Sequence, residues 1–448
     1  MKPQANSRLT PSASAEAGPA AQPAGKTGAL RRLAAGLACL AHLAGLPLPA
    51  AGDIDIDAAP HHYSTRTPSD RFTQLIPRLE AGTLLPEGAD PGEKAVLKRL
   101  LQTLGIPASS QLLVFSTTSL QLSLISPANP RALYFTDDLY LGYIPGGRIE
   151  LVSLDPELGA IFYIFDLPRP GAPRPPRVER SGRCMNCHAG EDTGHVPGLL
   201  VKSVIPGPSG GSLTAYRSGR HGHDIPFADR FGGWHVTGQH GITQHWGNLT
   251  GRLQAGQLTT LSNLPGARFR FDRYPAATSD ILAHLLHEHQ AGFVNHTVAA
   301  SYQARSLLHA AGSSASPSLD AALDALAEPL VRYLLFADET PLPPGGVEGD
   351  PAFREDFLRS RRPVQGRSLR DLDLKTRLLR HRCSYMIYSP VFTGLPARFK
   401  QRLYQRLDRA LASRPGAADP VFAYLPPDEK QAIRTILKAT LTDLPPGW

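Results

Sequence analysis

The chain has 448 residues, more than the roughly 100–200 residues of one ordinary domain, so two or three lobes are expected. Glycine (41 residues) and proline (42 residues) are both frequent, which predicts many turns between short elements. The formal net charge is +8, of which residues 1–51 carry +4, and no basic run with interleaved aromatic residues indicates a nucleic-acid partner.

Residues 1–51 have the pattern of a leader that ends in a secretory signal. A pair of arginines precedes an apolar, alanine-rich segment with small residues near Ala50, which is the order of a cleavable signal. An uncleaved anchor is the alternative, but His42 and Pro47 interrupt the short segment. No later segment is apolar enough to span a bilayer. We therefore expect a periplasmic or otherwise exported protein with no membrane span after signal removal.

Residues 52–168 are predicted to form a lobe of helices and strands. A short amphipathic helix is expected over 70–82, and a second helix over 91–104 has its apolar residues on one face. From 111 to 166, aromatic and β-branched runs alternate with turn residues, which predicts an antiparallel meander.

A proline-rich linker is predicted over 169–180, and it leads into the most informative region, 181–275. There Cys184, Cys187 and His188 follow the pattern Cys-x-x-Cys-His, the attachment pattern of c-type haem. Two thiols at this spacing form thioethers with the haem vinyl groups, and the histidine that follows binds the iron as its proximal ligand. A redox dithiol or half of a zinc site is the alternative, but the other cysteines, Cys39 and Cys383, stand alone. One covalent haem c is the predicted cofactor.

The sixth position of the predicted iron has four candidate ligands: His223, His240, His245 and Met386. The three histidines lie in a strand-and-loop stretch that also holds two of the three tryptophans, and aromatic side chains suit the walls of a pocket for a flat macrocycle. Each histidine is a candidate ligand or an acid/base group over an open position. Met386 is the methionine left for a His/Met centre, because Met1 lies in the leader and Met185 inside the attachment motif; a core position is its alternative.

Residues 276–448 are predicted to form a helical lobe. The longest helix is expected over 278–312, with others near 319–336, 351–360, 396–411 and 428–441. On the longest helix, His284 and His287 share one face and His289 and His296 another, which favours packing or solvated histidines over a second metal site. The predicted fold class is α+β, with a mixed N-terminal lobe, a strand-and-loop haem region and a helical C-terminal lobe.

Further stretches accompany the Cys184–His188 motif between about Tyr63 and Leu441: LVFSTTSLQ, NPRALYF, HDIP, FGGWHVTGQHG, HWGN, EHQ and CSYMIYS. With them, the chain resembles an uncharacterised family of exported bacterial proteins that carry a single c-type haem attachment motif. The resemblance implies haem binding and electron transfer in broad terms, and it supplies no substrate.

Two functions follow as hypotheses. The first is electron transfer by an exported monohaem c-type cytochrome, for which a redox partner protein is expected. The second is a haem-dependent, peroxidase-like oxidoreductase with an open iron position, which the length of the chain favours. A haem-bearing sensor or assembly factor is a weaker third possibility.

Overall fold

A computed structural model describes residues 54–85, 92–169, 174–216, 220–314, 316–413 and 419–448. The predicted leader, residues 1–51, lies outside these ranges, and so does Cys39. Within the described chain, a seven-stranded antiparallel sheet and one long helix form the centre to which the other elements attach.

The strands come mostly from the first half of the described chain. Their bounds are β1 (Leu112–Val114), β2 (Arg131–Phe135), β3 (Leu139–Tyr143), β4 (Ile149–Asp155), β5 (Gly159–Phe165), β6 (Glu179–Arg180), β7 (Val204–Pro206), β8 (Ser212–Ala215), β9 (Trp234–His235), β10 (Leu249–Gln254) and β11 (Gln257–Ser262). The large sheet has the order β6-β5-β4-β3-β2-β1-β9, so β1 to β6 form a meander and β9 is added beside β1. The remaining strands form two hairpins, β7–β8 and β10–β11.

The helices lie mostly in the second half of the chain. Their bounds are α1 (Ile76–Glu80), α2 (Glu93–Thr103), α3 (Met185–His188), α4 (Ile281–Ala311), α5 (Pro317–Leu334), α6 (Pro351–Leu358), α7 (Pro390–Thr393), α8 (Ala397–Ala410) and α9 (Pro427–Thr440). No helix within the described ranges has the length and apolar character that crossing a membrane requires.

Successive side chains of each strand point to opposite sides of the sheet, so the sheet has two faces. On one face, Tyr134 and Leu141 pack with the buried apolar side of α2. On the other face, Phe135, Tyr140 and Phe162 join the larger core that contains α4. We call this second side the α4 face. The sheet is therefore a wall between a small core and a large one.

Helix α4 is buried along most of its length because both the sheet and α5 pack on it. Asp280 caps its first turn by accepting a hydrogen bond from the Leu282 amide at 3.0 Å. Close approach to α5 requires Gly292, since a Cβ atom there would collide with the Tyr333 hydroxyl. Gln290 joins the helix to the sheet by accepting a hydrogen bond from the Tyr140 hydroxyl at 3.0 Å.

The predicted α+β class, the meander and the long helix are confirmed. The helix predicted over 70–82 is shorter, because Asp70 accepts bonds from the Phe72 and Thr73 amides and helical turns begin only after it. The linker predicted over 169–180 ends as strand β6, which pairs with β5. Residues 52–448 form one compact unit, inside which the predicted boundaries near 169, 181 and 276 fall.

Candidate haem site

The Cys184–His188 motif forms a helical turn at the edge of the large sheet. A 3-10 helix over Gly182–Cys184 continues into α3, and the Ser181 amide just before it donates to the Phe162 carbonyl at 2.9 Å. Residues three apart in a helical turn lie on the same side, which brings the two thiols together. Cys184 is half-buried, Cys187 is exposed, and neither forms a disulfide. Both thiols are free to react.

His188 is held in one tautomer by the backbone. Its Nδ1 lies 2.9 Å from the Gly198 carbonyl, which only accepts hydrogen bonds, so Nδ1 carries the proton and Nε2 keeps a lone pair. Burial, opposed by the Gly198 hydrogen bond and supported by the charge of Arg131, lowers the pKa of His188 to about 4, so the ring is neutral at pH 7. The ring packs on Phe162 with a centroid distance of 4.4 Å. A neutral imidazole with a free Nε2 is the form that binds a metal.

A second layer of hydrogen bonds fixes the carbonyl that holds His188. The Gly198 amide donates back to the His188 carbonyl at 2.9 Å, which closes a loop between the two residues. Asn295 of α4 brackets the next residue, Leu199, by accepting from its amide and donating to its carbonyl, each at 2.8 Å. The Leu199 amide and the Gly198 carbonyl belong to the same peptide unit. Asn295, this peptide and His188 therefore form one polarised chain.

The α4 face of the sheet is incompletely covered beside His188. Arg131 and Leu133 of β2 and Glu150 and Val152 of β4 are partly exposed, although both strands lie well inside the sheet and their opposite faces are buried. We call these four residues the floor. Val152 lies between Tyr140 and Phe162 in the cross-strand pairing. The floor is thus a partly exposed surface next to the motif, made of two apolar side chains and one ion pair.

A charged pair marks one side of the floor. The Arg131 guanidinium lies 2.7 Å from Glu150 and passes over Gly142, where a Cβ atom would collide with it. Burial acts to raise the pKa of Glu150, but Arg131 and hydrogen bonds from Ser119 and Gln121 lower it overall. Glu150 therefore stays ionised, and it holds Arg131 within electrostatic range of His188.

His287 of α4 lies on the opposite side of the floor from His188. Its ring centroid is 5.2 Å from that of Phe135, 5.8 Å from that of Tyr140 and 6.3 Å from that of Trp234. Burial, and then the charge of Arg131, lowers its pKa to about 4. No hydrogen bond to either of its ring nitrogens is found within the described chain, although only 6% of the residue is exposed.

The four distal ligands predicted from sequence have other surroundings. His223 forms a 2.8 Å Nδ1–Nδ1 hydrogen bond with His289 and stacks on Phe336; its Nε2 is 3.1 Å from Asp224 Oδ1 but is not aligned for a hydrogen bond. His240 and His245 contact each other, with ring centroids 5.5 Å apart. Met386 is fully buried in the large core. Their role at an iron stays a prediction.

The other histidines of α4 are used in packing. His284 Nε2 donates to the His235 carbonyl at 2.8 Å, and His289 Nε2 pairs with the Ser384 hydroxyl at 2.7 Å. His296 packs on Tyr333 at 4.7 Å. Among the described residues, no three His, Cys, Asp or Glu side chains come together as a group that could hold a metal ion. Cys383 is buried, and burial raises the pKa of its thiol.

A cavity of about 260 Å³ lies between α4 and the segment 199–203. Its wall includes a buried ion pair, in which Arg230 Nη1 lies 3.2 Å from Glu288 Oε2. Burial raises the pKa of Glu288 to about 7, against the opposing charge of Arg230. Cys184, Cys187 and His188 are not among the described residues that line this cavity.

The floor and His287 were not singled out from the sequence. A signal for the floor exists, because Arg131 and Glu150 are charges inside otherwise apolar strands, on the same alternating face. The sequence signal for His287 was its spacing from His284. This spacing does not show whether the ring nitrogens of a histidine form hydrogen bonds in the fold.

No family model, curated protein or solved structure matches this chain. The resemblance to the single-haem family therefore stays a prediction from sequence.

Proposed function

We propose that this chain is an exported monohaem c-type cytochrome that transfers electrons. Cys184 and Cys187 would hold the haem through thioethers, and His188 would be its proximal ligand. The observation that carries the proposal is the Nδ1 hydrogen bond from His188 to Gly198, which leaves Nε2 unprotonated beside two free thiols. A carbonyl on Nδ1 is the usual partner of a metal-binding histidine.

The surroundings of the motif fit a large flat group with charged edges. Phe162 and Val152 provide apolar contact next to His188, and the floor leaves the sheet uncovered there. Arg131 and Lys202 both lower the pKa of His188, so two positive charges lie within range of its ring. Arg131 is paired with Glu150, and Lys202 lies 3.1 Å from Asp192, so haem propionates would share these two cations with the carboxylates.

When bound, the haem supplies a one-electron couple. The chain sets its properties through residues around His188. The Gly198 carbonyl draws on the Nδ1 proton and makes the ring a stronger electron donor, while Asn295 holds that carbonyl in place. Arg131 is neutralised by Glu150, which limits the positive charge near the site.

A second candidate function is a haem-dependent oxidoreductase. The observation that favours it is His287, a buried neutral imidazole without a hydrogen-bond partner in the described chain, across the floor from His188. Such a group suits acid/base chemistry. Export to the periplasm or beyond and a redox partner protein remain parts of the first proposal, and residues 1–51 carry the pattern behind the export.

The test is covalent haem attachment after secretion from a host with haem-attachment machinery. The full chain should retain haem through denaturation and acid extraction, at one haem per chain. Changing Cys184 and Cys187 together to Ala should abolish this retention. Cys383→Ala is the matched control and should leave it unchanged, because that thiol is buried in the core. Covalent haem in the double variant, or none in the secreted wild type, would refute the proposal.

A further inference from the structure

We propose that His287 is the distal residue of this site, and that it stands over an open iron position instead of binding the iron. The inference rests on the proposed haem attachment at Cys184 to His188. It deepens the second candidate function, and it names the ligand class of the site as a small weak acid.

The spacing of the two imidazoles argues against a shared metal. His188 packs on Phe162 of β5, whereas His287 packs on Phe135 of β2 and Tyr140 of β3. Strands β3 and β5 are two apart and β2 and β5 three apart, so the strands on which the two rings pack are about 10–14 Å apart at about 4.8 Å per strand. Two imidazoles on one metal, with bonds of about 2 Å, would have ligand nitrogens about 4 Å apart.

Both rings nevertheless pack on the same face of the sheet. Between them lies Val152, a partly exposed residue in the cross-strand row that joins Tyr140 to Phe162. The charge of Arg131 reaches both imidazoles, since it lowers the pKa of His188 and of His287. A flat group standing on this floor with one side toward His188 would turn its other side toward His287.

Helix α4 presents His287 differently from its neighbouring histidines. One turn earlier, His284 is bonded to the His235 carbonyl, and two residues later His289 is bonded to His223 and Ser384. His287 has aromatic contacts with Phe135, Tyr140 and Trp234. The Tyr140 hydroxyl donates to Gln290 and the Trp234 indole N–H donates to the Lys202 carbonyl, so neither donates to the His287 ring. Its nitrogens therefore keep their capacity for a ligand.

A neutral imidazole in this position accepts a proton from a small weak acid. Hydrogen cyanide is a suitable probe, because it is dissolved as the acid and binds ferric iron as the anion. The proton that leaves the acid passes to a ring nitrogen of His287, and the carbon lone pair of the anion binds the metal; no oxidant or reductant is needed. General-base assistance of this kind is worth roughly 10²–10⁴-fold in rate.

The experiment compares cyanide association to the ferric, haem-loaded wild type with His287→Ala and His287→Gln. The glutamine variant keeps a polar side chain of similar size, so it guards against loss of folding. His309→Ala is the matched control, since His309 is an exposed histidine in the last turn of the same helix. Covalent haem content is measured first in every sample.

Both His287 variants are expected to retain covalent haem and to bind cyanide at least about 100-fold more slowly, with the control unchanged. A low-spin wild type that binds no cyanide, together with a His287→Ala variant that becomes high-spin, would make His287 an iron ligand and overturn the proposal. Rates within twofold of wild type in both His287 variants would also overturn it. Either of these failures leaves haem attachment intact, whereas absence of covalent haem in the wild type refutes the proposed function and this inference together.

Discussion

Asn295→Ala tests the chain of hydrogen bonds behind His188. The substitution removes two 2.8 Å hydrogen bonds and leaves the amide and carbonyl of Leu199 unsatisfied where that residue is 6% exposed. Each buried unsatisfied group costs about 1–3 kcal/mol, so the free energy of unfolding should fall by about 2–6 kcal/mol. Asn263→Ala is the matched control, because Asn263 is also buried and its side-chain amide has no hydrogen-bond partner in the described chain.

The same substitution should raise the reduction potential of the haem-loaded protein. Without Asn295, the Gly198 carbonyl accepts less strongly from His188 Nδ1, the imidazole donates less to the iron, and the oxidised form loses relative stability. A change of about 0.5–1.5 kcal/mol in that hydrogen bond corresponds to about 20–60 mV in a one-electron couple.

Urea unfolding and a redox titration of wild type, Asn295→Ala and Asn263→Ala measure the two quantities. If Asn295→Ala is no less stable than Asn263→Ala, the two hydrogen bonds between Asn295 and the Leu199 backbone do not stabilise the fold as we infer. A reduction potential of Asn295→Ala that is unchanged or lower would refute the inference that Asn295 strengthens the hydrogen bond from His188 to Gly198.

Two further predictions concern stability. Gly142→Ala should lower the free energy of unfolding by about 1 kcal/mol, because its Cβ displaces the Arg131 guanidinium from its 2.7 Å contact with Glu150. Gly211→Ala, with open space at its Cβ, is the control in urea unfolding, and equal losses would contradict the reasoning. Burial lowers the pKa of six histidines of the described chain to about 3 or 4, from 6.5 in the unfolded chain: His61, His188, His235, His284, His287 and His296. As the pH falls from 6.5 toward 4, the unfolded chain takes up protons that the folded one does not. Stability should therefore fall, by up to about 1.4 kcal/mol per pH unit for each histidine, and equal stabilities at pH 7 and pH 5 would contradict this.

Sequence patterns predicted helices well where the hydrophobic residues kept one regular spacing along the whole segment. The apolar face of α2 and the capped run that became α4 are examples, since hydrophobic spacing and a capping Asp280 act within a few residues. The stretch over 70–82 was overestimated, because side-chain bonds of Asp70 compete with helical ones at its start.

Some residues of the candidate site could be found from the sequence, and others only from the structure. Cys184, Cys187 and His188 are adjacent in sequence, so their chemistry was visible there. His287 and Arg131 are at least 99 and 53 residues from this motif in sequence, and only strand register and the packing of α4 place them on the same face of the sheet. The predicted list of distal histidines came from a nearby stretch, and proximity in sequence does not determine which side chain faces a given space.

The amino-acid sequence by itself determined the attachment motif, the order of meander and helices and the α+β class, because these depend on short-range spacing. Tertiary structure alone decided which face of the sheet is left uncovered and that the Gly198 carbonyl selects the tautomer of His188. It also decided that His284 and His289 of α4 have hydrogen-bond partners, whereas none is found for His287 within the described residues. The reason is physical: exposure and hydrogen-bond satisfaction depend on residues from distant strands and helices, whose relative register no local pattern encodes.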